Sequence, residues 1–298
     1  MARPAAGLNS GIAQQVQGAG ILRASMTGRP ISFLSDFGLE DEFVGVVHGV
    51  IARIAPDIRL IDVTHGVARG NVRAGALTLL RAVQYLPNGV VMAVVDPGVG
   101  TARKAIAAET EWGHFVGPDN GLLAPAVAMV GGAHRFVSLE SEEFRLPRDG
   151  VTFDGRDVFA PAAAVLASGE ASMGDLGPDL DPDSVTPLLL PLVDHDGVSV
   201  SGDVLWVDGF GNAQTNVTSE DLQLAGIHPG SNVTVRIGAI EHDMQWVAAY
   251  GESAQAVVHV DSYGLIAIAV PGGRADETFN ISEGLSRSEE HTSELQSR

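Results

Sequence analysis

Residues 89–100 read Gly-Val-Val-Met-Ala-Val-Val-Asp-Pro-Gly-Val-Gly. The unbroken apolar run is too short for an ordinary helix and stops at Asp-Pro-Gly, so it describes a strand buried on both faces. Such strands belong to parallel sheets covered by helices on each side, and the flanking sequence fits. Strand patterns at 31–35 and 59–63 alternate with helical ones at 41–54 and 71–86, the first of which carries acids in its opening turn. Downstream, short strands at 104–109 and 114–116 precede helical stretches at 122–129 and 156–168. Strand and helix in alternation predict an α/β domain over 28–182 with a largely parallel sheet.

The pattern changes after about residue 182. Strand candidates at 198–207, 232–237, 243–249, 256–259, 265–270 and 278–281 are separated by Gly, Asp and Ser, with one short helix signal at 219–224. This predicts a smaller, mostly antiparallel, barrel-like β domain over 197–286, joined through a linker at 183–196. The Pro- and Asp-rich run 180–191 marks that junction. No repeat of 20–50 residues is visible.

The two ends read differently. Residues 1–25 are small and polar, without an apolar run suited to a secretory signal or a membrane span, and are expected to be a disordered extension. Residues 287–298, RSEEHTSELQSR, show no strand alternation and no closing element. They resemble the translation of a sequencing-adapter oligonucleotide, so the native chain is expected to depart from this sequence after about residue 286.

Composition limits the chemistry. The 298 residues contain no cysteine, which removes disulfide frameworks, thiolate metal sites and thiol catalysis. A formal charge of −19 works against nucleic acid and anionic membranes as partners and suits a small cationic ligand. The 36 glycines and 15 prolines, about one residue in six against an average of roughly 12 %, imply many tight turns.

Those turns carry acids. Asp36 (SDFG), Asp96 (DPGVGT), Asp119 (GPDNG) and Asp208 (VDGFGN) each stand before glycine, three of them after apolar strands. One Asp before Gly is a routine turn residue; repeated at strand ends, where α/β sheets bind ligands, the pattern points to a site. In 96–103 a strand-end carboxylate leads into a Gly-rich turn whose amides could hold an anionic group, and Arg103 follows, if it is not simply solvated. In 152–161 Asp154 or Asp157 could cap a helix, but a cap does not explain Arg156 between them. His65 in DVTHG could be a ligand, a base or a core histidine, and the structural role is favoured because no second His lies at metal-ligand spacing. Dinucleotide, P-loop, HExxH and GxSxG signatures are absent from the body of the chain.

Taken together, SDFG (35–38), IDVTHGV (61–67), VVDPGVGTAR (94–103), VGPDNGLL (116–123), TFDGRDVFAP (152–161) and VDGFGN (207–212) occur in a distinctive order. Over about residues 30–284 the chain resembles the S-adenosyl-L-methionine (SAM) hydroxide adenosyltransferases, or SAM hydrolases, relatives of SAM-dependent chlorinases and fluorinases. The resemblance implies attack of water on C5′ of SAM, giving adenosine and L-methionine with no metal or other cofactor. It implies Asp96 and Arg103 around the nucleophilic water; the family's third residue there is a His, and this chain has Asp154. Asp154 is expected to orient the water instead, with Asp96 as the main acceptor; two neighbouring buried carboxyls imply either that one of Asp96 and Asp154 holds a proton or that Arg103 bridges both.

The halogenases carry Tyr where Asp96 stands, and a Trp at the position of Gly70. Asp36 is expected on the ribose hydroxyls, Asp208 and Asn212 on the methionine and nucleoside portions, and Phe210 against the adenine. Ser262, Tyr263 and Val270 match the adenine-proximal segment, although Tyr263 and Val270 stand where the halogenases have Arg. The resemblance further implies a cytoplasmic homotrimer with its site between subunits. Three other readings remain at this point: a halogenase, a metal-dependent phosphohydrolase using the clustered aspartates, and a non-catalytic SAM- or adenosine-binding module.

Overall fold

The computed structural model describes residues 28–147, 149–282 and 293–297, the last as backbone only. The extension at 1–25 lies outside the described residues. The N-terminal half runs β1 (Ile31–Ser35), α1 (Phe43–Ile54), β2 (Leu60–Thr64), α2 (Val72–Val83), β3 (Val90–Val94), β4 (Ala105–Thr110), β5 (His114–Pro118), α3 (Ala124–Met129) and β6 (Ala133–Ser138). A π-helical turn, Gly155–Phe159, then leads directly into α4 (Ala160–Ser168), and α5 (Met173–Leu176) follows.

The sheet order is β2-β1-β3-β5-β4-β6, with β2, β1, β3 and β5 parallel and β4 antiparallel to both its neighbours. The run that opened the sequence reading behaves as its composition demands. Val90, Met92 and Val94 enter the core beneath α1 and α4, while Val91, Ala93 and Val95 enter a second core beneath α2 and α3. From β1 the chain crosses outward to β2, then back past β1 to β3. The C-terminal ends of β1 and β3 therefore flank the switch point, where an open α/β sheet leaves a crevice.

The C-terminal half contains β7 (Asp194–His195), β8 (Ser199–Gly202), β9 (Val204–Val207), β10 (Ala213–Thr218), α6 (Ser219–Leu224), β11 (Asn232–Ile237), β12 (Ile240–Trp246), β13 (Val257–Val260), β14 (Leu265–Ala269), α7 (Ala275–Phe279) and β15 (Ser293–Ser297). They form one sheet, β7-β8-β15-β11-β12-β13-β14-β10-β9, antiparallel except at β12–β13. The chain is thus a mixed α/β domain followed by a mostly antiparallel β domain. Among the described residues no helix is long and apolar enough to cross a membrane.

Three sequence expectations fail locally. The strand expected at 278–281 is replaced by helix α7: Arg274 bonds Asp276 and Glu277 in its first turn, and Asn280 closes it at φ 53°. The single strand expected at 198–207 is two, divided at Asp203, whose amide donates to Asn216 Oδ1. The tail, read as lacking a closing element, supplies β15 between β8 and β11. That pairing uses backbone groups alone, so it needs no side-chain alternation to form. Strands β6 and β10, with mixed polarity, had no expectation at all.

Candidate active site

The switch point gathers the N-terminal motifs. The Asp36 amide bonds the Val94 carbonyl, placing Asp36 beside β3. Its Oδ2 accepts from the Gly70 amide at 2.7 Å. Gly70 can present that amide because it sits at φ 71°, a conformation open to glycine; Asn71 then caps α2 by accepting from the Ala74 amide. A carboxylate has about four acceptor positions, so this bond leaves Asp36 capacity for further donors.

Asp96 follows β3, and its loop folds back on itself. Thr101 Oγ1 donates to the Gly98 carbonyl and accepts from the Arg103 amide, which returns Arg103 toward the strand end. Asn120, after β5, fixes the base of the loop by donating to the Val95 carbonyl at 2.9 Å. Arg103 Nε donates to Asp96 Oδ1 at 3.1 Å and its Nη2 donates to Asp96 Oδ2. The same Nη2 donates to Asp154 Oδ2 at 2.8 Å.

One guanidinium thus bridges two carboxylates, one of the two arrangements left open by the sequence, with side chains only 8 %, 5 % and 12 % exposed for Arg103, Asp96 and Asp154. It also lies 5.5 Å over the Phe159 ring, a flat support that suits its charge. The Arg is therefore not solvated, its guanidinium being engaged by the two carboxylates.

Asp154 does not cap a helix; its side chain makes no cap hydrogen bond and points to Arg103 instead. A π-helical turn, Gly155–Phe159, follows it directly. Gly155 allows the approach, since a Cβ there would stand 2.9 Å from Phe37 Cζ, within a cluster of Phe37, Phe43 and Phe153. Arg156 and Asp157 turn away and pair with each other through Nε and Oδ1 at 2.6 Å. Burial pushes the Asp96 carboxyl above its ordinary range, partly offset by the Arg103 charge and hydrogen bonds and reinforced by Asp154.

Other acids serve the scaffold. Asp119 accepts from the Thr186 amide and holds the segment that follows α5. Asp208 accepts from the amides of Phe210 and Asn212 and from Asn212 Nδ2. This turn edges a cavity of about 370 Å³ lined by Trp206, Asn212, Gln214, Tyr250, Ser262 and Tyr263. Phe210 stands 80 % exposed, and Val270 packs on the C-terminal core. Gln214, unanticipated from sequence, reaches Asp261, whose Oδ1 accepts the Tyr263 amide.

Within one chain the two clusters lie apart. Helix α2 begins beside Gly70, and Arg81 in its last turn lies 4.0 Å over Trp206. Nine residues at 1.5 Å each separate those ends by roughly 14 Å. His65 is buried, with Ser35 Oγ 2.7 Å from Nδ1, and His48 from α1 meets it across Asp62. Spacing along the chain does not reveal this pairing, because the second His belongs to a different element.

Comparison with known proteins agrees with the motif order. A family model described as SAM hydroxide adenosyltransferase N-terminal domain matches residues 31–177, and the corresponding C-terminal domain model matches 202–287. An (R)-S-adenosyl-L-methionine hydrolase of Salinispora tropica is 45 % identical over 256 residues, 85 % of this chain and 95 % of that protein. A fluorinase of an Actinoplanes species is 26 % identical over 87 % of this chain and 96 % of its own. A crystal structure of an uncharacterized conserved protein from Thermotoga maritima superposes with a TM-score of 0.80 at 34 % identity, covering 89 % of this chain and 99 % of that one.

Proposed function

Because the chain belongs to the SAM hydroxide adenosyltransferase family, we propose that it hydrolyses SAM to adenosine and L-methionine at the crevice between β1 and β3. The observation that carries the site assignment is the buried Asp96–Arg103–Asp154 bridge. With both carboxylates ionised, the three groups sum to one negative charge, which complements a sulfonium.

In the proposed step a water oxygen forms a bond to C5′ as the C5′–S bond breaks, and the bonding pair stays on sulfur. The sulfonium becomes a neutral thioether, so the leaving group needs no acid. The water loses one proton, first hydrogen-bonded to Asp96 and then released to solvent. Asp96 accepts from the water, Arg103 fixes the direction of both carboxylates, and Asp154 supplies the second acceptor. Holding the nucleophile in line behind C5′ is the principal contribution asked of the protein. Asp36 binds the ribose hydroxyls. Asp208, Phe210, Asn212, Ser262, Tyr263 and Val270 serve methionine and adenine from the neighbouring subunit of a cytoplasmic homotrimer, which the separation of the two clusters within one chain supports.

The same bridge argues against the other chemistries. An anion 4 Å from one unit of negative charge is repelled by about 1 kcal/mol in water and about 4 at an effective dielectric near 20, and the Asp96–Arg103–Asp154 bridge carries one net negative charge. Halide is therefore a poor nucleophile here. A Mg²⁺-dependent phosphohydrolase needs free carboxylates, whereas a guanidinium already occupies these two. Incubation with SAM in chloride buffer containing a chelator tests the assignment. Adenosine and methionine are expected; 5′-chloro-5′-deoxyadenosine as the main nucleoside, or SAM bound without turnover, would overturn it.

A further inference from the structure

Behind the Asp36 loop, on the opposite side of β1 and β2 from α2, three side chains converge from separate elements. His48 projects from α1, Asp62 from β2 and His65 from the loop after β2, with one possible ligand atom of each within 4.8 Å of the others. His48 Nε2 is 2.9 Å and His65 Nε2 3.1 Å from the same oxygen, Asp62 Oδ1. The three groups take no part in the hydrolytic step.

The decisive atom is His65 Nε2. It is buried and makes no hydrogen bond, although it stands 3.1 Å from the carboxylate. Its other nitrogen, Nδ1, lies 2.7 Å from Ser35 Oγ. If Nδ1 carries the proton and donates to Ser35 Oγ, a bare lone pair on Nε2 faces an anionic oxygen, which is repulsive without a cation between them. If Nε2 carries the proton, alone or in the imidazolium, that N–H is buried and, although 3.1 Å from Asp62 Oδ1, makes no hydrogen bond to it. The first arrangement is the one metal-bound imidazoles use, with the outer N–H held by a neighbouring acceptor.

We propose that His48, Asp62 and His65 form a binding site for a divalent transition cation of the zinc class, with Ser35 orienting His65 from behind. Two imidazoles and one carboxylate with an open fourth position is a recurrent zinc donor set. Ligands at about 2.0–2.1 Å in a tetrahedron stand about 3.3 Å apart, close to the two separations observed. Entry is open from the solvent side, because His48 and Asp62 are 33 % and 44 % exposed in their side chains while His65 is 3 % exposed. A bound ion would pin α1 to β2 and to the loop whose Gly70 amide holds Asp36, so it would stiffen the scaffold without touching the reacting atoms.

Equilibrium dialysis of the full chain against micromolar ZnCl₂, with metal measured by mass spectrometry, tests this. One equivalent is expected to be retained, with a rise in the thermal midpoint that grows with zinc concentration. Cobalt(II) in place of zinc should give the visible absorption of a four- or five-coordinate site. His48→Gln and Asp62→Asn, both partly exposed and expected to fold, should each weaken retention tenfold or more; circular dichroism of the metal-free variants checks folding. No retention by the native chain, or equal retention in folded His48→Gln, would overturn the proposal. Adenosine formation in chelator is expected to continue, so failure of this site and failure of the hydrolase assignment are separately readable.

Discussion

Replacing Arg103 with methionine removes the single cation shared by Asp96 and Asp154 while keeping much of the side-chain volume. In the native protein the guanidinium makes two hydrogen bonds to Asp96 and one of 2.8 Å to Asp154, with all three side chains at most 12 % exposed. Breaking a buried pair by deleting one partner costs about 3–5 kcal/mol, because charge is left buried and uncompensated. At about 2–4 °C per kcal/mol for a chain of this size class, the midpoint should fall by roughly 10 °C. Arg135, which donates to Asp179 at 2.7 Å with side chains 37 % and 67 % exposed, provides an internal control. Arg135→Met should cost under about 1 kcal/mol, as exposed pairs do.

The pH dependence has a defined sign. The Asp96 carboxyl already titrates above its ordinary value because of burial, and Arg103 is the group that pulls it back. Without Arg103 it should titrate higher still. A carboxyl whose folded pKa is raised favours the folded state below the unfolded pKa, and that contribution is lost as pH rises through the folded pKa. The deficit of Arg103→Met should therefore shrink on acidification from neutrality. Thermal unfolding of the two Arg variants across that range is the assay. An Arg103→Met protein no less stable than Arg135→Met, or a deficit that grows on acidification, would refute the reasoning.

Asp96→Asn mimics the neutral carboxyl that burial favours, so turnover should fall by about 100-fold or more while the thermal midpoint at neutral pH is maintained; stopped-assay chromatography and calorimetry read the two effects. Asp154→Ala should lose about tenfold or more in kcat, and Asp154→His should recover part of it; an alanine variant equal to the parent would remove Asp154 from the mechanism. The acid limb of kcat/KM should lie above the ordinary carboxylate range, since Asp96 must be ionised to accept from water. Gly70→Ala adds a Cβ at φ 71°, so it should cost about 1 kcal/mol in stability and raise KM through Asp36, as steady-state kinetics would show.

Much of this site was legible because chemistry and turns coincided. The apolar run through Val95 identified a central strand, and its end fixed the position of Asp96. The place of Asp154 beside Arg103 could be anticipated only through the motif order, since 51 residues separate them. Features built by backbone geometry left no trace in composition. The Gly70 amide reaches Asp36 through one left-handed residue, and the π-helical turn after Asp154 looks like an ordinary helix start. His48 was invisible for a related reason: metal-ligand spacing along a chain describes one element, and this pairing crosses from α1 to the loop after β2. In the C-terminal domain, β10 escaped because Thr215 interrupts its apolar inward face of Ala213 and Val217, and α7 because Phe279 and Ile281 imitate a strand.

The central claim is that water held by Asp96, Arg103 and Asp154 attacks C5′, and a single turnover in ¹⁸O-labelled water addresses it directly. The label should appear in the 5′-hydroxyl of adenosine, with unlabelled L-methionine as the other product. 5′-Methylthioadenosine with a homoserine-derived product, or adenosine without label at the 5′-oxygen, would contradict the account.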